Sequence, residues 1–462
     1  MLNSNNLKKV LINTSFFRIT YVILSFLETL IFIDYIAFCA KCVVLIWGVF
    51  LLFYFIFREP EKLNIKYKKT ALLFIFSGLI TIFLNISPDF SVNLTFVYHS
   101  VMCFFIFFGI KNNTKEKYVK KEINFILLFF VVFSCLTSIS GILFLLLKPN
   151  LGIKFLIAQD RFTGFYTNSN LTAFVSAVSV VSVYLFNEIN ININQRLKFL
   201  LNFSTFVNIL SLFLSDSNAS FILIAVYFII KFFITKIINF SSVKKINFLK
   251  EFLYSAFMIT IFFLVLFLLR NFVQNIMSYF INNICSTKNI KIDNITTENS
   301  VLNTVNNNSI KENIKIGREN YKKNQDISSG RIILFKQGIR LFLTHPIFGI
   351  GRGNLVNFGN YYINGGLIFS DLHNSYLTIL VSYGIVGFSL FMFFCVGTIL
   401  KLFYEIFKKK YSKNLFIIID FFSILSAYLA HATFEKGILS EMTFMVIYFW
   451  IMLGFSYSFI ED

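Results

Sequence analysis

The chain has 462 residues, of which 56% are hydrophobic and only 14% charged; a soluble globular chain is about 45–50% apolar and about a quarter charged, so soluble classes are excluded. Its 64 Phe against 4 Pro point to many long apolar helices. The net charge of +19 would suggest nucleic acid in a soluble chain, but here Lys and Arg punctuate apolar runs instead of lining one face; that excludes a nucleic-acid partner and favours the lipid bilayer.

Lys8, Lys9 and Arg18 precede an apolar stretch with no small-residue cleavage site, which reads as an uncleaved first span. At about 20 apolar residues per crossing, spans are predicted near 17–35, 37–57, 70–87, 92–110, 123–147, 171–187, 199–215, 218–236, 251–270, 384–404, 414–433 and 438–457. The fold class is therefore an all-α polytopic membrane protein with about twelve transmembrane helices. Cys39 and Cys42 form a C-x-x-C in the second predicted span, but no second pair completes a zinc site, so no metal centre is expected.

Charge alternates between the loops. One set carries Arg58, Lys62, Lys66, Lys68 and Lys69, then Lys111 to Lys121, Arg196 and Lys198, Lys244 to Lys250, and Lys408 to Lys413, while the opposite short loops carry few basic residues. The bias predicts both termini in the cytoplasm and a multi-pass inner-membrane protein. Two outer loops stand out, at 148–170 and 271–372. The predicted organisation is nine spans in 1–270, the large outer loop in 271–372, and an outer helix start with three spans in 373–462. Within the large loop, 271–325 is rich in Asn, Lys, Ile and Ser without apolar period and is expected to be flexible, whereas 328–372 bears motifs.

In 331–343 apolar and polar residues alternate at helical spacing, with Ile332, Ile333, Phe335, Ile339, Leu341 and Phe342 against Lys336, Gln337 and Arg340, as in a helix lying at a membrane surface. His345-Pro346 ends it. Gly349, Gly351 and Gly353 follow, interleaved with Arg352 and closed by Asn354. Such a loop turns successive N–H groups towards an anion or simply makes a tight turn, and spacing alone leaves both open. His373-Asn374 opens the next apolar run, beside Asp371; a neutral imidazole there suits proton abstraction from a hydroxyl. In the other outer loop Arg161 suits a diphosphate, since its guanidinium forks onto oxygens and keeps its charge. Glu28, Asp34, Asp216, Asp420 and Glu441 fall in or near spans, where carboxylates are costly.

The ordered set Arg161-Phe162-Thr163-Gly164, Thr167-Asn168-Ser169-Asn170, Ser329-Gly330-Arg331, His345-Pro346-Ile347-Phe348-Gly349-Ile350-Gly351-Arg352-Gly353-Asn354, His373-Asn374 and His431-Ala432-Thr433-Phe434-Glu435 resembles the O-antigen polymerase/ligase family. The resemblance implies a membrane glycosyltransferase that takes a glycan from undecaprenyl diphosphate without metal, nucleotide or other cofactor. Arg161, Arg331 and Arg352 would hold the donor diphosphate, His373 would be the base or would help stabilise the leaving diphosphate, and Gly349, Gly351, Gly353, Asn354 and Asn374 would support them. The acceptor is either another lipid-linked repeat unit, the reading favoured here, or a lipid A–core or wall glycan; a chain-length regulator is a partner class left open. Many members carry an Arg after the seventh span, where this chain has Asn218 in Ser215-Asp216-Ser217-Asn218-Ala219-Ser220. A flippase or transporter is the alternative from another class, but no paired repeat with polar midplane groups is evident.

Overall fold

The computed structural model describes residues 9–85, 89–240, 248–287, 316, 330–363, 366–367, 371–408, 414–439 and 442–460. Most of the stretch expected to be flexible, together with Ser329 and Glu441, lies outside them. The helices are α1 (Thr14–Leu27), α2 (Asp34–Arg58), α3 (Lys68–Leu84), α4 (Phe90–Met102, running into a π-helical turn at Cys103–Phe107), α5 (Glu116–Leu147), α6 (Pro149–Leu156), α7 (Ser169–Ile189), α8 (Gln195–Ser215), α9 (Asn218–Phe240), α10 (Phe248–Thr287), α11 (Arg331–Thr344), α12 (Leu355–Tyr362), α13 (Ser375–Lys408), α14 (Leu415–His431) and α15 (Phe444–Ile460), with a single turn at Ile110–Asn113. Each predicted span overlaps one of these helices. Among the described residues eight helices are long and apolar enough to cross a membrane, and α1, α14 and α15 are shorter apolar helices. The chain is an all-α multi-pass membrane protein.

Residue pattern decides which helices sit inside. α15 is apolar all round and is buried on every side, with Trp450, Met452 and Phe455 inaccessible, as such a helix must be in a bundle interior. α7 is buried nearly as fully and presents Ser176, Ser179 and Ser182, small residues that let neighbouring helices approach. Asn208 of α8 exploits this, donating to Ser179 Oγ at 3.2 Å. α10 is the opposite case: Phe257, Leu264, Phe267 and Phe272 stand exposed, the composition of a helix facing lipid.

Several sequence expectations change. Arg18 does not act as a free positive signal: it is fully buried and forks onto Glu122 at 2.6 and 2.8 Å, with Asn113 Oδ1 2.7 Å from Nη1. The ninth span does not stop at Arg270, because residues 271–287 continue α10. Val273, Met277 and Ile281 recur every four residues there and join a satellite cluster with Leu145, Leu156, Phe162 and Leu214. In α11 the inward face is Leu334, Gln337, Gly338 and Leu341, while Ile332, Ile333 and Ile339 are exposed. Gly338 sits close against α13, where a Cβ would lie 2.6 Å from Leu377 Cδ2. Of the costly carboxylates, Glu28 pairs with Lys41, Asp216 with Arg270 and Asp420 with Lys231. Asp34 instead opens α2, accepting from Tyr35 N at 2.8 Å.

Candidate active site

Arg161 is placed by a two-residue hairpin. Strands β1 (Ile157–Ala158) and β2 (Arg161–Phe162) pair antiparallel, and both linking residues, Gln159 and Asp160, have positive φ, as a tight hairpin turn matching strand twist requires. Phe162 anchors the hairpin in the satellite cluster, leaving Arg161 8% exposed against the end of α8. Its Nε donates to Ser215 O at 2.8 Å and its Nη2 to Asn170 Oδ1 at 2.7 Å. Asn170 lies in the first turn of α7, whose N-cap is Asn168.

Asn170 passes the connection on, donating from Nδ2 to Glu435 Oε1 at 2.9 Å. Glu435 is the centre of the site. The same oxygen accepts from Arg331 Nη2 at 2.9 Å, and Oε2 lies 3.4 Å from His373 Nδ1. Arg331 and His373 thus meet on one carboxylate, and Arg161, 212 positions before His373 in sequence, is linked to it through Asn170. The turn that carries Glu435 is held by Ser375, whose hydroxyl donates to the backbone carbonyl of Glu435 at 2.9 Å and accepts from Gly437 N at 2.8 Å. Beneath it His431 is 1% exposed, packed on the rings of Phe174 and Tyr428. Burial pushes the Glu435 carboxyl up, but the hydrogen bond and charge of His373, with His431 and Arg331, outweigh it and hold the group below its ordinary value. The side chain of His373 is 34% exposed and that of Arg331 21%, so both remain open to a substrate.

Arg352 belongs to a neighbouring cluster. Its Nη2 lies 2.6 Å from Asp371 Oδ2, and Lys436 Nζ lies 3.2 Å from the same oxygen. Burial raises the Asp371 carboxyl, while Arg352, Lys436 and His373 outweigh it and leave it lowered. Asp371 Oδ1 also accepts from His373 N at 3.3 Å, which supports the left-handed φ of 45° at His373. The two clusters are adjacent through Glu435-Lys436 and Asp371-Leu372-His373. Arg352 and Asp371 are both buried, and their pair braces His373 through the contact of Asp371 with His373 N.

The glycine loop is a tight turn and not an anion nest. Gly349 N donates to His345 O at 2.9 Å, Ile350 N to Val381 O at 3.0 Å, Gly351 N to Ser382 O at 2.9 Å and Gly353 N to Asn93 Oδ1 at 2.7 Å. Those donors are spent on the protein. The reason lies in α13, which breaks at Gly384 (φ 63°, ψ −170°). Below the break, Ile385 N and Val386 N donate to Pro346 O and Ile347 O at 2.8 and 3.2 Å. The loop therefore completes a broken helix, and Asn354 braces it by donating to Ile350 O at 2.8 Å. Asn374 likewise turns out to be a helix cap, accepting from Leu377 N at 2.9 Å. His345 packs edge-on against Phe358 and serves structure.

Asn170, Asp371, Glu435 and Lys436 complete the constellation, although none was among the site residues read from sequence. Among the described residues no group of three His, Cys, Asp or Glu side chains is arranged to hold a metal ion.

Residues 203–392 match the family model described as O-antigen ligase. No curated protein matches the chain. The matched stretch contains Arg270, Arg331, Arg352 and His373, with Arg161 before it and Glu435 after it. Over this stretch the chain is similar to the O-antigen ligases, a family whose chemistry is glycan transfer.

Proposed function

We propose that the protein transfers an oligosaccharide from undecaprenyl diphosphate to an acceptor hydroxyl on the extracytoplasmic side of the bacterial inner membrane, polymerising surface polysaccharide repeat units. The observation that carries this reading is the convergence of Arg161, Arg331 and His373 on Glu435 and Asn170. With Nδ1–H turned to Glu435, Nε2 of His373 is the nitrogen that takes the acceptor proton. The acceptor oxygen bonds to the anomeric carbon as the bond from that carbon to the phosphate oxygen breaks. The electron pair leaves with the lipid diphosphate, whose charge Arg331 and Arg161 offset. Glu435 orients the imidazole and stabilises its charged form, a role that fits its lowered carboxyl.

Complementation of a deletion strain with wild type, His373→Ala, Arg331→Ala and Arg161→Ala, at matched membrane levels, tests the reading. Single repeat units left on the lipid, with long glycan lost, are expected for a polymerase. Long chains stranded on the lipid would instead make it a ligase onto a lipid A–core or wall acceptor. Normal glycan from all three variants would overturn the site and return the transporter reading.

A further inference from the structure

An arginine in the apolar run of a lipid-facing helix is costly unless it has a task or a partner. α10 carries one: Arg270 lies inside its candidate span Phe257–Ile284, flanked by exposed Phe267, Leu268, Leu269 and Phe272. Its guanidinium reaches across to the turn between α8 and α9. Nη2 lies 2.8 Å from Asp216 Oδ1, Nη1 lies 3.5 Å from Asn218 Oδ1, and the group rests over the rings of Phe221 and Phe267 at 5.3 and 5.4 Å. Nε meets no acceptor among the described residues. Asp216 adopts a left-handed φ of 53° to end α8, and the preceding carbonyl, Ser215 O, is the one that takes Arg161. A single turn therefore carries Arg161 on one side and Arg270 on the other. From there a chain of hydrogen bonds runs through Asn170 to Glu435.

Asn218 leaves that turn without a cation of its own, and Arg270 supplies one from a different helix. Asp216 neutralises it when no ligand is bound. A diphosphate brings more negative charge than one carboxylate and competes for the same fork of donors. The exposed apolar flank of α10 meets the site at this residue, which suits a headgroup whose tail stays in the bilayer. We infer that Arg270 is a binding residue for the diphosphate headgroup of a membrane-embedded lipid, forming with Arg161 the cationic wall on the lipid-facing side of the site. The inference rests on the transferase reading above.

The test uses the full chain in phospholipid nanodiscs with undecaprenyl diphosphate as the probe and inorganic pyrophosphate in a separate arm. Arg270→Gln is expected to weaken capture of the lipid probe roughly tenfold or more, the loss of one or more charge-assisted hydrogen bonds. Asp216→Asn is expected to bind as tightly as wild type or tighter, because Arg270 loses its competitor. Were the pair only a clamp for α10, Asp216→Asn would weaken capture as much as Arg270→Gln, and that result overturns the inference. So does wild-type capture by Arg270→Gln. If Arg331→Gln loses the probe while Arg270→Gln keeps it, the inference falls and the transferase reading stands. If wild type captures no undecaprenyl diphosphate, both fall; capture of pyrophosphate alone overturns the lipid assignment.

Discussion

Glu435 Oε2 stands 3.4 Å from His373 Nδ1 although 62 residues separate them, and the other oxygen of the same carboxylate takes Arg331. The proposed base and the proposed anion-binding group are thereby tied to a single acid. Glu435→Gln keeps the shape but removes the charge that holds the imidazole and guanidinium in place. Transfer is expected to fall roughly 10²-fold, the scale of a positioned base. His373→Ala should cost a similar amount, and the double variant little more, because the two act as a unit. Initial rates on a lipid-linked donor, at matched protein levels, check this; additive losses would separate the two roles.

Acid should take the site apart. The carboxyls of Glu435 and Asp371 are both held below their ordinary values in the folded chain. A depressed carboxyl contributes stability that is fully present above its unfolded value, near 4.5 for Glu and 3.8 for Asp, and is lost as pH falls through the folded value. Thermal stability in detergent is expected to be insensitive to these groups between pH 7 and 5 and to decline below about 4.5. The Glu435→Gln, Asp371→Asn double variant should show less of that acid decline, and an unchanged decline would assign it elsewhere.

The cluster behind His373 predicts an asymmetry. Asp371→Asn removes the carboxylate that faces both Arg352 and Lys436, whereas Arg352→Gln leaves Asp371 its contact with Lys436. Breaking a buried pair costs about 3–5 kcal/mol when one charge is left unmatched. Asp371→Asn is expected near that range and Arg352→Gln well below it, read as loss of folded protein on heating. Equal losses would show that Lys436 does not share the load.

Gly384→Ala should be severe. A Cβ at this position would lie 2.3 Å from Ile347 O, on a backbone with φ +63°. The strained backbone alone costs about 1–3 kcal/mol, and the clash would push the loop off the helix. Reduced membrane levels with loss of glycan are expected. Gly437, whose added Cβ would meet nothing closer than 3.4 Å, serves as the tolerant control.

Span positions were legible because crossing a membrane demands long apolar runs, and such runs are visible in any single sequence. The end of α10 was missed for the converse reason. Residues 271–287 carry enough Asn and Gln to read as a loop, and only the cluster with Leu145, Phe162 and Leu214 shows why they stay helical. Arg161, Arg331 and His373 were given roles from their motifs, whereas Glu435, although part of the His431–Glu435 motif, was given none, since it sits in a turn far along the chain. A buried carboxylate near the outer end of a span was the available signal. The glycine loop stayed undecided: its spacing suits an anion nest or a tight turn equally, and what settled its geometry was a helix break some 30 residues later, at Gly384.

That break also redraws the molecule for anyone who would cut or graft it. Hydropathy would assign 331–372 to an external loop and the apolar run after it to the membrane. Yet Pro346 O and Ile347 O complete the hydrogen bonding of α13 just below Gly384, while Val381 O and Ser382 O above it receive Ile350 N and Gly351 N. Replacing the loop with a linker, or swapping it with a relative's, would strip a membrane helix of acceptors that lipid cannot replace. A chimera keeps its fold only if 346–351 and 381–386 travel together, as one inseparable cassette.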